Sequence, residues 1–149
     1  MGTRSAIAVK HGDNIKAVYC HWDGYLEHNG VILNKYYNSA KANNLVALGD
    51  ISSLGTDIGE AHDVDRLDIM CKYDEDGFRS DTNFYGRDRG EENCEFRTFA
   101  HEEEFVAVMG DMNCEYFYLM VNGEWKVSTY GKEFILLSQA LVLESAEQE

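Results

Sequence analysis

The densest run of side chains equipped for chemistry is Cys20-His21-Trp22-Asp23-Gly24-Tyr25-Leu26-Glu27-His28-Asn29-Gly30. His21, Asp23, Glu27 and His28 supply two imidazoles and two carboxylates, the groups that general acid/base catalysis or a transition metal would use. Their spacing matches no metal motif. The imidazoles stand seven residues apart across Gly24, not at the i,i+4 spacing that puts two side chains on one helix face. Three uses stay open: a turn held by hydrogen bonds, contacts to a ligand, and a metal-dependent hydrolase built on His21, Asp23 and His28.

A second set is Gly86-Arg87-Asp88-Arg89-Gly90-Glu91-Glu92, where two arginines occupy a glycine-bounded loop inside the most acidic part of the chain. Guanidinium offers a planar fork to carboxylate or phosphate. Arg87 and Arg89 therefore either pair with neighbouring acids or bind an anionic small molecule such as a nucleotide, with Tyr85, Trp22 and Tyr25 as aromatic faces. His62-Asp63-Val64-Asp65, Asp74-Glu75-Asp76-Gly77 and Asp111-Met112-Asn113 lack the order of ligands of a calcium loop and read as turns. No phosphate-binding loop, dinucleotide fingerprint or nucleophile-elbow pattern occurs. Cys20, Cys71, Cys94 and Cys114 are too far apart for structural zinc and read as reduced thiols. Neither a catalytic residue nor a metal nor a cofactor is assigned on this basis.

Charge separates the remaining function classes. The chain has 27 acidic and 13 basic residues, a net charge of −14, which argues against direct binding of nucleic acid by phosphate neutralisation. Residues 57–115 hold 18 Asp/Glu against 6 Lys/Arg, or −12 of that total. Such a surface either keeps the protein solvated or offers an acidic face to a basic, nucleic-acid-binding partner. Asp63, Asp65, Asp68, Asp74, Glu75, Asp76, Glu91, Glu92, Glu102 and Glu103 are the candidates for that face.

The elements that must position these groups follow from periodicity. A β-hairpin is expected at 6–10 and 15–21, with the turn at His11-Gly12-Asp13-Asn14. Helices are expected at 29–37 and 40–48, the second capped by Asn38-Ser39 and closed by Gly49. An acidic excursion at 56–68 leads to a strand near 67–73, and a strand pair is expected from 82–85 with 95–99. A helix at 101–109 opens on three glutamates. Asn122-Gly123 between two β-rich runs specifies a type I′ hairpin, and 134–143 carries a helical apolar face. With 149 residues, no proline and no linker, one α+β domain is expected over 1–143: a mainly antiparallel sheet built from hairpins, with helices packed on one face, and a polar tail at 144–149.

Three stretches carry a resemblance: Met1-Gly2-Thr3-Arg4-Ser5-Ala6-Ile7-Ala8, Tyr19-Cys20-His21-Trp22-Asp23-Gly24-Tyr25 with Glu27-His28-Asn29-Gly30, and Leu48-Gly49-Asp50-Ile51-Ser52-Ser53-Leu54. They resemble a family of small proteins carried by bacteriophages and prophages. The likeness is dense over 1–55 and thin beyond, where the Arg87–Arg89 loop and the Trp125 hairpin echo it. It implies a viral origin and transfers no catalytic residue.

The first expectation is thus a non-enzymatic phage accessory protein that binds and inhibits a host defence factor, its acids acting as a nucleic-acid decoy toward a host protein with a basic surface. The alternative is a small-ligand binder that sequesters a nucleotide-like signal, using His21, Trp22, Asp23, Tyr25, His28, Tyr85, Arg87 and Arg89. The hydrolase is third. No apolar run is long enough to span a bilayer, 6–9 is too short for a signal peptide, and the myristoylation pattern is missed. The expected setting is the cytoplasm of the infected host, with a homodimer left open.

Overall fold

A computed structural model describes residues 3–61, 73 and 76–147, with side chains described as far as 143. The expected strand near 67–73 and the 62–65 cluster lie outside the described residues, apart from Tyr73. The fold is α+β, a mainly antiparallel sheet with helices.

The first hairpin is present as β1 (Ser5–His11) and β2 (Asn14–Cys20), paired antiparallel from Ser5↔Cys20 to His11↔Asn14. A turn of π-helix at Leu26–Gly30 runs into α1 (Val31–Tyr36), and α2 (Ser39–Ala47) follows. Asn38 caps α2 by accepting the Lys41 amide, 2.9 Å away, which satisfies one of the donors every helix start leaves open. Three short strands come next: β3 (Ile51–Ser53), β4 (Asn83–Phe84) and β5 (Arg97–Phe99). Then α3 (Glu102–Asp111) precedes β6 (Tyr116–Val121) and β7 (Glu124–Thr129). Asn122 and Gly123 both have positive φ, 52° and 81°, as a type I′ turn demands.

The sheet order is β4-β3-β2-β1-β6-β7 followed by β8 (Ile135–Leu136), with β5 also on β2. One pairing departs from the sequence expectation: β4 pairs with β3 and β5 pairs with β2, not with each other. The edge of β2 that faces away from β1 is long enough to be shared, with β3 beside Cys20 and β5 beside Ile15, Lys16 and Ala17. Asp50, at the start of β3, joins all three strands. Its carboxylate accepts the Tyr19 amide of β2 at 2.9 Å and pairs with Arg97 of β5 at 3.0 Å. The C-terminal segment departs too. Residues 135–136 form β8 (Ile135–Leu136) against β7, and α4 (Leu137–Glu147) takes in the first residues of the expected tail.

Three of the helices pack on one face of the sheet, as expected, and α3 adds a cover on the other. β1 shows why both faces are used: Ala6, Ile7, Ala8 and Val9 are all buried, the continuous apolar run of a strand covered on both sides. Ile7 and Val9 join Val18, Tyr118 and Trp125 with Leu33, Leu45 and Leu137 from α1, α2 and α4. Ala6, Ala8 and Ala17 face the other way, toward Phe105 and Met109 of α3. The small alanines leave room for three rings there, with Phe105 edge-on to Phe117 at 5.9 Å and 6.0 Å from Phe99. The parallel pairing of β1 with β6, from Ser5↔Tyr116 to Val9↔Met120, places this doubly covered strand at the centre.

Candidate functional site

Where β2 ends, the chain turns away from the sheet through Trp22, Asp23 and Gly24, and this loop forms one wall of a cavity of about 610 Å³. Its backbone is fixed at several points. His21 and Trp22 amides donate to Ile51 and Ser52 carbonyls at 3.0 Å, and the buried Tyr118 hydroxyl donates to Gly24 O at 2.7 Å. Asp23 adopts φ 58°, a left-handed conformation that aspartate tolerates better than most residues. The π-turn then swings His28 back, so that its Nε2 lies 4.0 Å from Asp23 Oδ2 and its ring is edge-on to Phe78 at 5.2 Å.

The opposite wall comes from β3, β4 and the segment before β4. Ser52, Ser53 and Leu54 line it together with Phe78, Arg79 and Asn83. A register shift between Ile51 and Ser53 lies opposite Asn83, a kind of irregularity that re-aims side chains beside binding sites. Asn83 is 6% exposed, and its Oδ1 is buried with no hydrogen-bond partner among the described residues. An acceptor in that state costs about 1–3 kcal/mol. Arg79 has no ion-pair partner among the described residues either, whereas Arg87, Arg89 and Arg97 all do.

The eight residues expected to contact a ligand therefore separate into three places. Trp22, Asp23 and His28 reach the cavity, with Trp22 44% exposed, and Tyr25 stands behind His28, its ring 6.2 Å away. Burial, then the charge of Asp23, raises the Tyr25 phenol above its ordinary pKa. His21 belongs to a second group: its Nδ1 is 2.7 Å from the Tyr19 hydroxyl, and burial, then Arg4 and Arg89, lower its pKa. Arg89 stacks 5.1 Å over the Tyr85 ring while pairing with Glu91 at 3.3 Å, so these two side chains occupy each other.

Arg87 stands alone in the third place. Its guanidinium turns inward to Asp88 at 2.9 Å and to the carbonyls of Gly59, Ile58 and Thr82, over the Phe84 ring at 4.6 Å. Its Nε, Nη1 and Nη2 all donate to groups of the protein. No group of three or more His, Cys, Asp or Glu is arranged to hold a metal among the described residues.

The acids divide as well. Asp63, Asp65, Asp68, Asp74 and Glu75 lie outside the described residues. Asp76 bonds Lys35 and Tyr36 beside α1. Glu91 and Glu92 border a cleft with Leu48 at the end of α2, and Glu102 and Glu103 of α3 line a groove with Lys132.

Sequence reasoning missed Arg79 and Asn83 as cavity residues. Arg79 carries no local signal. Asn83 carries a weak one, because asparagine is depleted in strands and here occupies the start of one. Comparison with family models, curated proteins and solved structures finds no match to this chain. Among the described residues no helix is long and apolar enough to cross a membrane.

Proposed function

We propose that the chain is a small-ligand binder whose cavity takes a nucleotide-like molecule. The observation that carries this reading is the cavity itself, which brings the exposed ring of Trp22 together with Phe78 and Arg79. A flat ring would stack on Trp22 and Phe78, and an anionic group would meet Arg79; base–aromatic stacking contributes about 1–3 kcal/mol per base. A volume of about 610 Å³ falls in the range of small-molecule sites, roughly 300–1,000 Å³. The decoy reading needs one continuous carboxylate face. The described candidates Asp76, Glu91, Glu92, Glu102 and Glu103 occupy three places, and Asp76 and Glu91 are paired, which favours the ligand, in a phage setting as the sequestration of a signal.

The test is thermal unfolding against a panel of nucleoside phosphates. A ligand at about 100 times its Kd stabilises the folded state by roughly 2.7 kcal/mol, which is a readily measured rise in Tm. Arg79→Ala is expected to weaken binding at least about tenfold while leaving the Tm of the free protein near that of the parent, since the side chain holds no ion pair among the described residues. A panel in which no member moves the Tm overturns the reading.

A further inference from the structure

We infer that the cavity selects ribonucleotides over deoxyribonucleotides, reading the two ribose hydroxyls with His28 and Asp23. This rests on the nucleotide reading above and adds to it. The argument starts at Asn29, which is fully buried. Its Nδ2 donates to Ser5 Oγ at 3.3 Å and to Cys20 Sγ at 3.4 Å, so Oδ1 is the atom left facing His28 Nδ1, 2.9 Å away. An amide oxygen only accepts. In the neutral form of the imidazole the proton is therefore on Nδ1, and Nε2 presents a lone pair.

That lone pair lies 4.0 Å from Asp23 Oδ2 on the wall of the cavity. In that form two acceptors line the same cavity, 4.0 Å apart. Tyr25 takes part of the carboxylate's capacity through a side-chain hydrogen bond, but a carboxylate has about four acceptor positions, so room remains. The complement is a pair of neighbouring hydroxyls. Among nucleotides that pair is the ribose 2′,3′-diol, and carboxylates serve this role in dinucleotide sites by bonding the 2′-hydroxyl. The acceptor wall then matches the sugar, and Arg79 the phosphate. A site built to bond a hydroxyl discriminates strongly against the analogue that lacks it, because its polar groups are left unpaired.

The experiment is calorimetric titration of the full chain with each ribonucleoside 5′-monophosphate and its 2′-deoxy counterpart, on the parent, Asp23→Asn and His28→Gln. Asn tolerates the left-handed conformation at position 23, and both variants keep a polar side chain of similar size, so folding is retained and is checked by their Tm. The expected result is a ribonucleotide bound at least about tenfold tighter than its deoxy form, with both substitutions collapsing that ratio toward one chiefly by weakening the ribonucleotide. Equal affinity for the two sugars in the parent overturns the inference and leaves the nucleotide reading standing. Absence of binding by every nucleotide overturns both.

Discussion

Asp88 has no exposed side-chain surface, and its Oδ2 accepts the Phe84 amide at 2.8 Å besides bonding Arg87. The guanidinium in turn joins residues 58 and 59 to residue 82, using the planar fork that lysine lacks. Removing one partner of such a pair leaves a buried charge uncompensated, at a cost of about 3–5 kcal/mol. Arg87→Ala is expected to lose that much in urea unfolding, and Arg87→Lys less. A loss below about 1 kcal/mol, the worth of an exposed pair, would mean that Asp88 finds other compensation. Arg79 is the counter-example. It has no ion pair among the described residues, and it is the cation the proposed site would use.

At the scale of elements, the cavity depends on the segment after β3 lying against the segment before β4. Thr56 and Asp57 amides donate to Arg79 and Ser80 carbonyls at 2.9 and 2.8 Å. Thr82 Oγ1 accepts from Gly55 N and donates to Asp57 O, while the Tyr37 hydroxyl donates to Gly55 O at 2.8 Å. The two backbones approach so closely at Gly55 that a Cβ there would sit 2.6 Å from Ser80 O and from the Asp81 carbonyl carbon. Both obstacles are backbone and must move as a unit. Gly55→Ala is expected to cost about 1–3 kcal/mol, as overpacking does, and to weaken nucleotide binding by displacing Arg79 and Asn83. Chemical unfolding and titration of the same variant check both effects. Parent-like stability would show that these segments separate without cost.

For the molecule as a whole, several buried weak acids share one consequence for pH. Burial pushes the Cys20 and Cys114 thiols from an ordinary 9.0 up to about 12, and it also raises the Tyr37 and Tyr118 phenols above theirs. Each of these groups holds its proton more tightly folded than unfolded. Their contribution to stability is therefore complete below about pH 9, where the thiols are protonated in both states, and is lost as pH rises from there toward 12. Each thiol gives up about 1.4 kcal/mol per pH unit within that window. Urea unfolding at pH 7 and pH 10 is expected to show a loss of a few kcal/mol, and Cys114→Ala to make the fall with pH shallower. Stability that stays level to pH 10 would mean that the thiols ionise in the folded protein as easily as in the unfolded chain.

What the residues determined alone was local. Asn122-Gly123 needs positive φ at both positions and specifies its hairpin within four residues, Asn38 caps α2 with its own side chain, and the β-formers Ile15, Val18 and Tyr19 mark a strand whatever lies beside it. The chemistry-bearing loop from Trp22 to His28 was legible for the same reason, as a run of contiguous polar and aromatic side chains. Partner choice was not. β4 and β5 are two and three residues long, too short for a pattern to name a neighbour, and it is the length of β2 and the position of Asp50 that send them to different places. The second face of the sheet was written in the unbroken apolar run of β1, yet only the tertiary structure shows that α3 covers it. Arg79 and Asn83 lie more than 50 residues from the Trp22 loop in the sequence. They meet it because β3 pairs with both β2 and β4, and pairing across such a distance depends on the packing of the whole sheet, which no local signal contains.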